Sequence, residues 1–244
     1  MWKPFSGLTW PSSCEVCGTW PTVPVCPDCH DRHARLRNRC PGCGLRLAPG
    51  LERCTTCTST PAPTHDTVHA RVDYDHPWSA LVQKLKFRQS PATARLMADL
   101  MREAPQADAL MAGADLMAPV PLSLPGLLER GYNQSWELVR HLRRKHPAPP
   151  LAMPDLLIRP EGGPALHTLP RAQRLQAAQT LFEVHPKHRA RLQGAHVLLV
   201  DDVLTTGATA QAASLALREA GARAVQVWVF ARTPPPSDEH SAVE

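Results

Sequence analysis

The sequence predicts an α/β protein in which a parallel sheet with flanking helices is preceded by a small cysteine-rich module. Two observations support this prediction. All eight cysteines fall within residues 14–57, and beyond them short apolar runs alternate with amphipathic runs. Such alternation favours a parallel sheet with helices on both faces. We expect the module over residues 1–62, the α/β domain over 63–233 and a disordered tail over 234–244.

Composition places the chain among globular proteins. With 244 residues, of which 43% are hydrophobic and 20% charged, it can bury the core of one α/β domain beside a smaller module. The net charge of +5 permits binding to a polyanion without requiring it. No apolar run reaches membrane-spanning length, and the N-terminal Met-Trp-Lys-Pro-Phe-Ser lacks the apolar core of a signal peptide. We therefore expect a cytoplasmic protein.

The cysteines form four successive C-x-x-C pairs. Two thiolates at this spacing can face one tetrahedral ion, four complete a structural zinc site, and a reducing cytosol disfavours disulfides. Gly18 and Gly44 follow only the first and third pairs, so each site should combine one glycine-bearing pair with one that lacks glycine. Pairing of the first C-x-x-C with the third is the alternative. The predicted ligands of two zinc ions, which supply the module's folding energy, are Cys14, Cys17, Cys26, Cys29 and Cys40, Cys43, Cys54, Cys57.

Arginines and aromatic residues accompany this module. A surface for single-stranded nucleic acid needs guanidinium groups for phosphates and rings for bases. The alternative is a solvated linker whose tryptophans pack against the next domain. On the first interpretation, loss of Arg35, Arg37 and Arg39 together weakens binding of single-stranded DNA without unfolding the module. The full set is Arg32, Arg35, Arg37, Arg39, Arg46, Arg53, Trp2, Phe5, Trp10 and Trp20.

A Pro/Thr linker over residues 58–66 contains the expected boundary of the α/β domain. Short apolar or β-branched runs predict strands, and amphipathic runs predict helices. The strands are predicted at 68–74, 116–120, 196–200 and 224–230, and the helices at 77–87, 92–101, 135–144 and 208–220.

Residues 197–210 are the most informative stretch of the chain. Four apolar residues lead into Asp201 and Asp202, then into a Thr/Gly loop and an alanine-rich helix. We expect the carboxylates at the carboxyl end of a buried strand, where ligands collect in open α/β sheets. Carboxylates suit the hydroxyls of a sugar, and loop N–H groups at a helix N-terminus suit a phosphate. The stretch thus predicts a sugar-phosphate site with the loop residues Thr205, Thr206, Gly207, Ala208 and Thr209.

This stretch resembles the phosphoribosyl-pyrophosphate (PRPP) signature of type I phosphoribosyltransferases. The resemblance implies a type I phosphoribosyltransferase-like sheet, two acidic residues on the ribose hydroxyls and a Thr/Gly loop on the 5′-phosphate. It also implies magnesium between the pyrophosphate and ribose oxygens of PRPP. Because PRPP carries two clusters of negative charge, a second basic locus is needed, and the candidates are Arg130, Lys86 and the closing-loop residue Arg174.

The order of the motifs is similar to that of the ComF family of bacterial competence-associated proteins, over roughly residues 8–232. The resemblance implies uptake or handling of transforming single-stranded DNA beside a helicase-like ATPase partner and, through it, a place at the inner face of the membrane. Ala177 stands where a basic loop of the family usually has asparagine, a departure that concerns turnover more than binding. The motifs in question are the cysteine ribbons, Tyr74, 84–87, 119–122, 130–134 and the 197–210 signature.

Two other functions compete with the ComF-type function. One is a nucleotide-salvage phosphoribosyltransferase, which the cysteine module and the lack of a base-specificity hood disfavour. The other is a non-catalytic zinc-ribbon adaptor for DNA or an ATPase, which the intact signature disfavours. If the chain is an enzyme, it is a phosphoribosyltransferase of the glycosyltransferase class. No residue identifies the acceptor nucleophile, so no catalytic residue is assigned.

Overall fold

The computed structural model describes residues 12–60, 62–87, 90–144, 146–160 and 181–235. Its contacts divide the chain into two compact units, Met1–Leu36 and Arg37–Glu244. Residues 37–62, which carry the last four cysteines, therefore share a unit with the α/β domain. The boundary predicted after residue 62 separates the cysteine-rich segment from the rest of the sequence, and as a domain boundary it stays a prediction.

The two cysteine segments have the same local construction. In the first unit, an antiparallel bridge joins Ser12 to Thr22, and helix α1 (Pro27–His33) follows. In the second unit, a bridge joins Arg39 to Arg46, and helix α2 (Thr55–Ser59) follows. Each segment is thus a tight hairpin followed by a short helix.

A parallel sheet forms the centre of the second unit. Its strands are β1 (Thr67–Asp73), β2 (Leu116–Pro119), β3 (Leu151–Ala152), β6 (His196–Leu204) and β7 (Ala224–Arg232). They pair in the order β1-β7-β6-β2-β3, which places β6 in the middle of the sheet. A separate antiparallel pair joins β4 (Leu157–Ile158) to β5 (Glu183–Val184).

Helices cover the two faces of this sheet. They are α3 (Trp78–Phe87), α4 (Pro91–Arg102), α5 (Ala107–Gly113), α6 (Leu124–Arg130), α7 (Gln134–Arg143), a 3-10 turn (Pro186–His188), α8 (Arg189–Leu192) and α9 (Ala208–Glu219). Val197 and Leu199 belong to the core that Ala213 and Leu217 of α9 share. Because strand side chains alternate, Leu198 and Val200 point to the opposite face. The apolar run 197–200 is therefore buried on both faces, as its lack of alternation predicts.

Every strand and helix predicted for the α/β domain is present, and all but one have ends within two residues of the prediction. The exception is β6, which continues through Leu204 instead of ending at Val200. Asp201 and Asp202 therefore lie inside the strand, which corrects their predicted place after it. The reason is that β7 also runs on: Val203 and Leu204 find ladder partners in the last two residues of that strand.

Candidate functional site

The acidic pair of β6 has partners from two helices of the same unit. Asp201 Oδ1 accepts hydrogen bonds from Ser135 Oγ at 2.8 Å and from the Asp202 backbone N–H at 2.9 Å. Lys86 Nζ lies 3.0 Å from Asp202 Oδ2, and the Asp202 side chain is almost fully buried. The structure thus brings Lys86, one of the predicted ligand-binding residues, to the Asp202 carboxylate.

The electrostatics of this pair favour a ligand that brings proton donors or positive charge. Burial raises the pKa of the Asp201 carboxyl well above its usual range, and the neighbouring Asp202 charge adds to the rise. Hydrogen bonds from the Ser135 hydroxyl and the Asp202 backbone N–H lower this pKa, but by less. Lys86 supplies one positive charge to a pair that carries two negative charges when ionised. Sugar hydroxyls or a divalent cation would stabilise the ionised form of both carboxylates.

The loop after β6 leads directly into α9. Gly207 is the N-cap of this helix and has a φ of 87°, which glycine adopts without a steric penalty. A Cβ at this position would meet no atom within 4 Å, so the backbone conformation alone explains the glycine. Thr205, Thr206, Ala208 and Thr209 are exposed. The loop therefore presents its polar groups and the positive end of a twelve-residue helix to the solvent.

The segment after α6 is attached to α3, the helix that carries Lys86. The Arg130 guanidinium lies over the Phe87 ring, 5.9 Å from its centre, and Nη1 donates to Gln134 Oε1 at 3.2 Å. The Tyr132 hydroxyl donates to the Leu85 carbonyl. Arg130 thus lies beside Phe87, the residue next to Lys86 in the chain. The third predicted basic residue, Arg174, lies outside the described residues.

Ser135 is a site residue that the sequence did not reveal. It is buried in the first turn of α7, where the Asn133 side chain caps the helix by accepting from the Ser135 N–H at 2.9 Å. The cap fixes the start of α7 and so aims the Ser135 hydroxyl at Asp201. Because these two residues are 66 positions apart, no spacing rule connects them.

The first cysteine cluster brings four sulfur atoms together. Cys14, Cys17, Cys26 and Cys29 place their Sγ atoms within 4.8 Å of one another, and the Cys26 N–H donates to Cys14 Sγ at 3.3 Å. Gly18, with a φ of 76°, closes the turn by donating to the Cys14 carbonyl. Hydrogen bonds from Thr19 lower the pKa of Cys17 to about 6.

The second cluster repeats this arrangement in the second unit. The Sγ atoms of Cys40, Cys43, Cys54 and Cys57 lie within 4.8 Å of one another, and the Cys54 N–H donates to Cys40 Sγ at 3.4 Å. Burial raises the pKa of Cys40, but backbone N–H groups, that of Cys54 first, lower it more, to about 7. The sulfur atoms group as the glycine pattern predicts, and the alternative pairing of first with third C-x-x-C is wrong.

Both clusters fit a tetrahedral metal ion. A zinc ion with bonds of about 2.3 Å separates its sulfur ligands by about 3.8 Å. Cys17 and Cys26 Sγ are 3.7 Å apart, and Cys43 and Cys54 Sγ are 3.5 Å apart. All eight cysteines are free thiols, and N–H groups directed at sulfur favour the thiolate form that a metal requires. Two four-cysteine groups that can bind zinc are therefore present.

The arginines of the cysteine module do not form one exposed set. Arg39 Nη1 donates to Asp73 Oδ1 at 2.8 Å in an ion pair that is almost fully buried, which corrects its predicted role in a free nucleic-acid surface. Arg32, Arg35, Arg37 and Arg53 are exposed. Trp20 is 62% exposed, whereas Trp2, Phe5 and Trp10 lie outside the described residues.

The fold and the cysteine clusters define an α/β protein with a central parallel sheet and two four-cysteine groups. Comparison with known proteins gives its family. The chain is 32% identical to the DNA utilization protein YhgH of Salmonella typhimurium over 241 residues, covering 93% of this chain and 99% of the relative. It is 30% identical to Competence protein F of Haemophilus influenzae over 197 residues, covering 79% and 84%. The chain belongs to the ComF family.

No protein-family model matches the chain. The purine phosphoribosyltransferase of Pyrococcus horikoshii is similar with a TM-score of 0.29 and 16% identity, covering 72% of this chain and 98% of that one. The α/β assignment therefore depends on the parallel sheet itself. Within the described part of the chain, no helix has both the length and the apolar character needed to span a membrane.

Proposed function

We propose that this protein binds PRPP, or a related phosphosugar, together with magnesium, and serves the handling of single-stranded DNA in natural transformation. The observation that carries the proposal is the acidic pair of β6 followed directly by the Gly207 loop and α9. Carboxylates that accept from sugar hydroxyls and a helix N-terminus that attracts phosphate lie next to each other in the chain.

The residues around the acidic pair support the same ligand. Ser135 orients the Asp201 carboxylate, and Lys86 reaches Asp202 from α3. A ligand with a pyrophosphate arm would draw on Lys86 and on Arg130, which lies beside the end of the same helix. We propose the closing-loop residue Arg174 as the third basic contact.

The donor set suits magnesium. Magnesium prefers carboxylate, phosphate and water oxygens, and it usually keeps only one or two protein carboxylates beside the phosphates of its substrate. Asp201 and Asp202 provide such oxygens in the second half of β6. When bound, the ion would neutralise the pyrophosphate and so favour its departure in a transfer reaction.

Calorimetric titration of the zinc-loaded full chain with PRPP and Mg²⁺ tests the phosphosugar function. We expect saturable binding that requires magnesium and that ribose 5-phosphate reproduces more weakly, because it lacks the pyrophosphate arm. Absence of heat and of thermal stabilisation with Mg²⁺-PRPP at millimolar concentration would contradict the proposal. The same titration with an oligo-dT strand examines the DNA function separately.

The family relationship supports the DNA role. The relatives are named a DNA utilization protein and a competence protein, and we extend that role to this chain. We also propose that zinc fills both four-cysteine clusters, that the chain works in the cytoplasm and that a helicase-like ATPase is its partner. Co-purification with an ATPase encoded beside it, at stoichiometric ratio, examines the last point.

A further inference from the structure

The turn that starts the second cysteine cluster has four successive carbonyls that accept hydrogen bonds, two of them from residues of the sheet. All four carbonyls of residues 41–44 accept hydrogen bonds from groups of the same unit. The Pro41 carbonyl accepts from Val68 N–H at 2.7 Å, and the Gly42 carbonyl accepts from His65 Nε2 at 3.0 Å. The Cys43 carbonyl accepts from Arg232 Nε at 2.7 Å, and the Gly44 carbonyl accepts from Arg39 Nη1 at 3.0 Å. The turn is also in van der Waals contact with β1, since a Cβ at Gly44 would lie 3.0 Å from Val68 Cγ1.

One of these donors also contacts the Thr/Gly loop of residues 205–209, called the signature loop below. Arg232 is the last residue of β7, and it is 8% exposed. Its Nε donates to the Cys43 carbonyl, while its Nη1 donates to the carbonyls of Leu204, at 3.1 Å, and of Thr205. Leu204 ends β6 and Thr205 is the first residue of the loop. A single buried guanidinium therefore connects a proposed zinc ligand to the start of the proposed phosphate loop.

We propose that Arg232 is a positioning residue through which a metal in the second cluster holds the signature loop in its ligand-binding conformation. A metal fixes the Cys43 sulfur, and with it the Cys43 carbonyl that orients Arg232 Nε. Because a guanidinium is planar and rigid, fixing Nε also fixes the direction of Nη1. The carbonyls of Leu204 and Thr205 then have a defined donor, and the loop N–H groups face the ligand from a fixed backbone. This inference rests on the proposed phosphosugar function.

Arg71 provides a matched control. It is also a buried arginine, at 3% exposure, on the neighbouring strand β1. Its Nε donates to the Leu100 carbonyl at 2.7 Å, and its Nη2 pairs with Glu103 Oε2 at 2.7 Å. These partners lie at the end of α4. Arg71→Met therefore removes a buried guanidinium of similar burial without acting on the loop.

The test compares Arg232→Met, Arg232→Lys, Cys57→Ser and Arg71→Met with the wild type, each as the full chain. Cys57→Ser removes the last ligand of the second cluster and leaves Arg232 in place. Each protein is measured for zinc content, melting temperature, amide hydrogen exchange over residues 204–209 and affinity for Mg²⁺-PRPP. Hydrogen exchange reports on the loop whether or not PRPP binds.

We expect faster exchange over residues 204–209 in Arg232→Met and in Cys57→Ser, with little change in Arg71→Met even if it melts lower. Loss of two carbonyl contacts should weaken PRPP binding by about tenfold, and lysine, which keeps the charge and some donors, should restore part of it. The double variant Arg232→Met with Cys57→Ser should lose little more loop protection and PRPP affinity than Cys57→Ser alone. The reason is that both substitutions act through the same Cys43–Arg232 hydrogen bond.

Two results would overturn the inference. One is unchanged loop exchange in Arg232→Met and Cys57→Ser. The other is equal loss of PRPP affinity in Arg71→Met, which would make the effect one of general stability. If the wild type itself fails to bind PRPP, the proposed function fails, and the exchange data still decide whether Arg232 positions the loop. If Arg232→Met does not fold, Arg232→Lys and Cys57→Ser give the same comparison.

Discussion

At the scale of single residues, the proposed phosphosugar site depends on two adjacent carboxylates. Asp201 and Asp202 follow each other on β6, so their side chains point in different directions and reach different partners. Asp201 meets the Ser135 hydroxyl of α7, and Asp202 meets Lys86 of α3. Each carboxylate has a distinct place in the proposed ligand contact, which makes the pair the first target for substitution.

Replacing both carboxylates by amides should abolish PRPP binding and leave the fold intact. In Asp201→Asn with Asp202→Asn, a donor stands where a sugar hydroxyl needs an acceptor. Loss of two charge-assisted hydrogen bonds, at about 1.5–3 kcal/mol each, should weaken binding by about two orders of magnitude or more. Thermal shift with and without Mg²⁺-PRPP measures this. The control is Asp115→Asn, a carboxylate before β2 that accepts from the first residue of β6, His196. Stabilisation by PRPP that persists in the double variant would contradict the proposal.

The raised pKa of Asp201 predicts how stability changes with pH. Because the folded protein holds this proton to higher pH than the unfolded chain, it binds more protons than the unfolded chain between about pH 4 and about pH 8. The Asp201 contribution is therefore complete in acid and is lost as the pH rises through that range. Asp201→Asn removes the titration but keeps an acceptor for Ser135.

We accordingly expect Asp201→Asn, without ligand, to melt higher than the wild type, and the difference to grow from pH 5 to pH 8. Each kcal/mol corresponds to about 2–4 °C in a domain of this size. Thermal melts at constant ionic strength measure it, with Asp115→Asn as the comparison. A difference that is constant or shrinks as the pH rises would show that Asp201 is already ionised in the folded protein.

At the scale of elements, the unit β6–loop–α9 shows what the sequence can predict. The apolar run, the glycine and the alanine-rich helix are local signals, and all three have the predicted structure. The end of β6 was not predictable locally, because it depends on β7 running beside it to Arg232. For the same reason, the roles of Ser135 and Arg232 come only from the fold. The predicted strand 224–230 stops short of Arg232, and an arginine so close to an apolar strand is the sequence signal that could have indicated a buried guanidinium.

Gly207→Ala should destabilise the chain and weaken PRPP binding through backbone strain alone. Gly207 has a φ of 87° and open space around its Cα, so alanine adds strain of about 1–2 kcal/mol without a clash. Gly113→Ala is the control, since that position also has open space but lacks a positive φ. Denaturant unfolding and PRPP titration of both variants separate strain from bulk, and equal effects at the two positions would refute this account.

At the scale of the whole molecule, two repeats of one cysteine arrangement serve different units. The first cluster lies in the unit Met1–Leu36, whereas the second is bonded to the sheet through the carbonyls of Pro41 and Cys43. The four C-x-x-C pairs predicted both ligand sets, but not this difference. The spacing of the cysteines predicts which thiols lie together, whereas the attachment of the turn depends on β1 and Arg232, far away in sequence.

Metal analysis should return two zinc ions per chain. Loss of Cys14 and Cys17 together should leave one ion, as should loss of Cys40 and Cys43 together. We expect the second loss to lower the melting temperature of the α/β domain and the first to leave it nearly unchanged, because only the second cluster belongs to that unit. One ion or none in the wild type, or disulfides after a reducing preparation, would contradict the two-zinc structure.

Binding of single-stranded DNA should depend on exposed arginines of the cysteine module. Arg39 is excluded because it pairs with Asp73, so the variant is Arg32→Gln, Arg35→Gln and Arg37→Gln together. Each lost phosphate contact lowers the salt slope of log K by about 0.7, so we expect a slope smaller by about 2 and weaker binding at low salt. Glutamine keeps much of the side chain, and the melting temperature should not change.

A control for net charge decides whether the surface is specific. Arg189, Arg191 and Arg223 are also exposed but belong to the α/β domain, and their replacement by glutamine removes the same three charges. Fluorescence anisotropy with a labelled oligo-dT strand, from about 50 to 200 mM salt, covers the range in which counterion release changes affinity strongly. If the control triple weakens binding as much as the module triple, the whole positive field binds the strand. If only the control does so, the α/β domain carries the DNA, and the arginines of the cysteine module serve another partner.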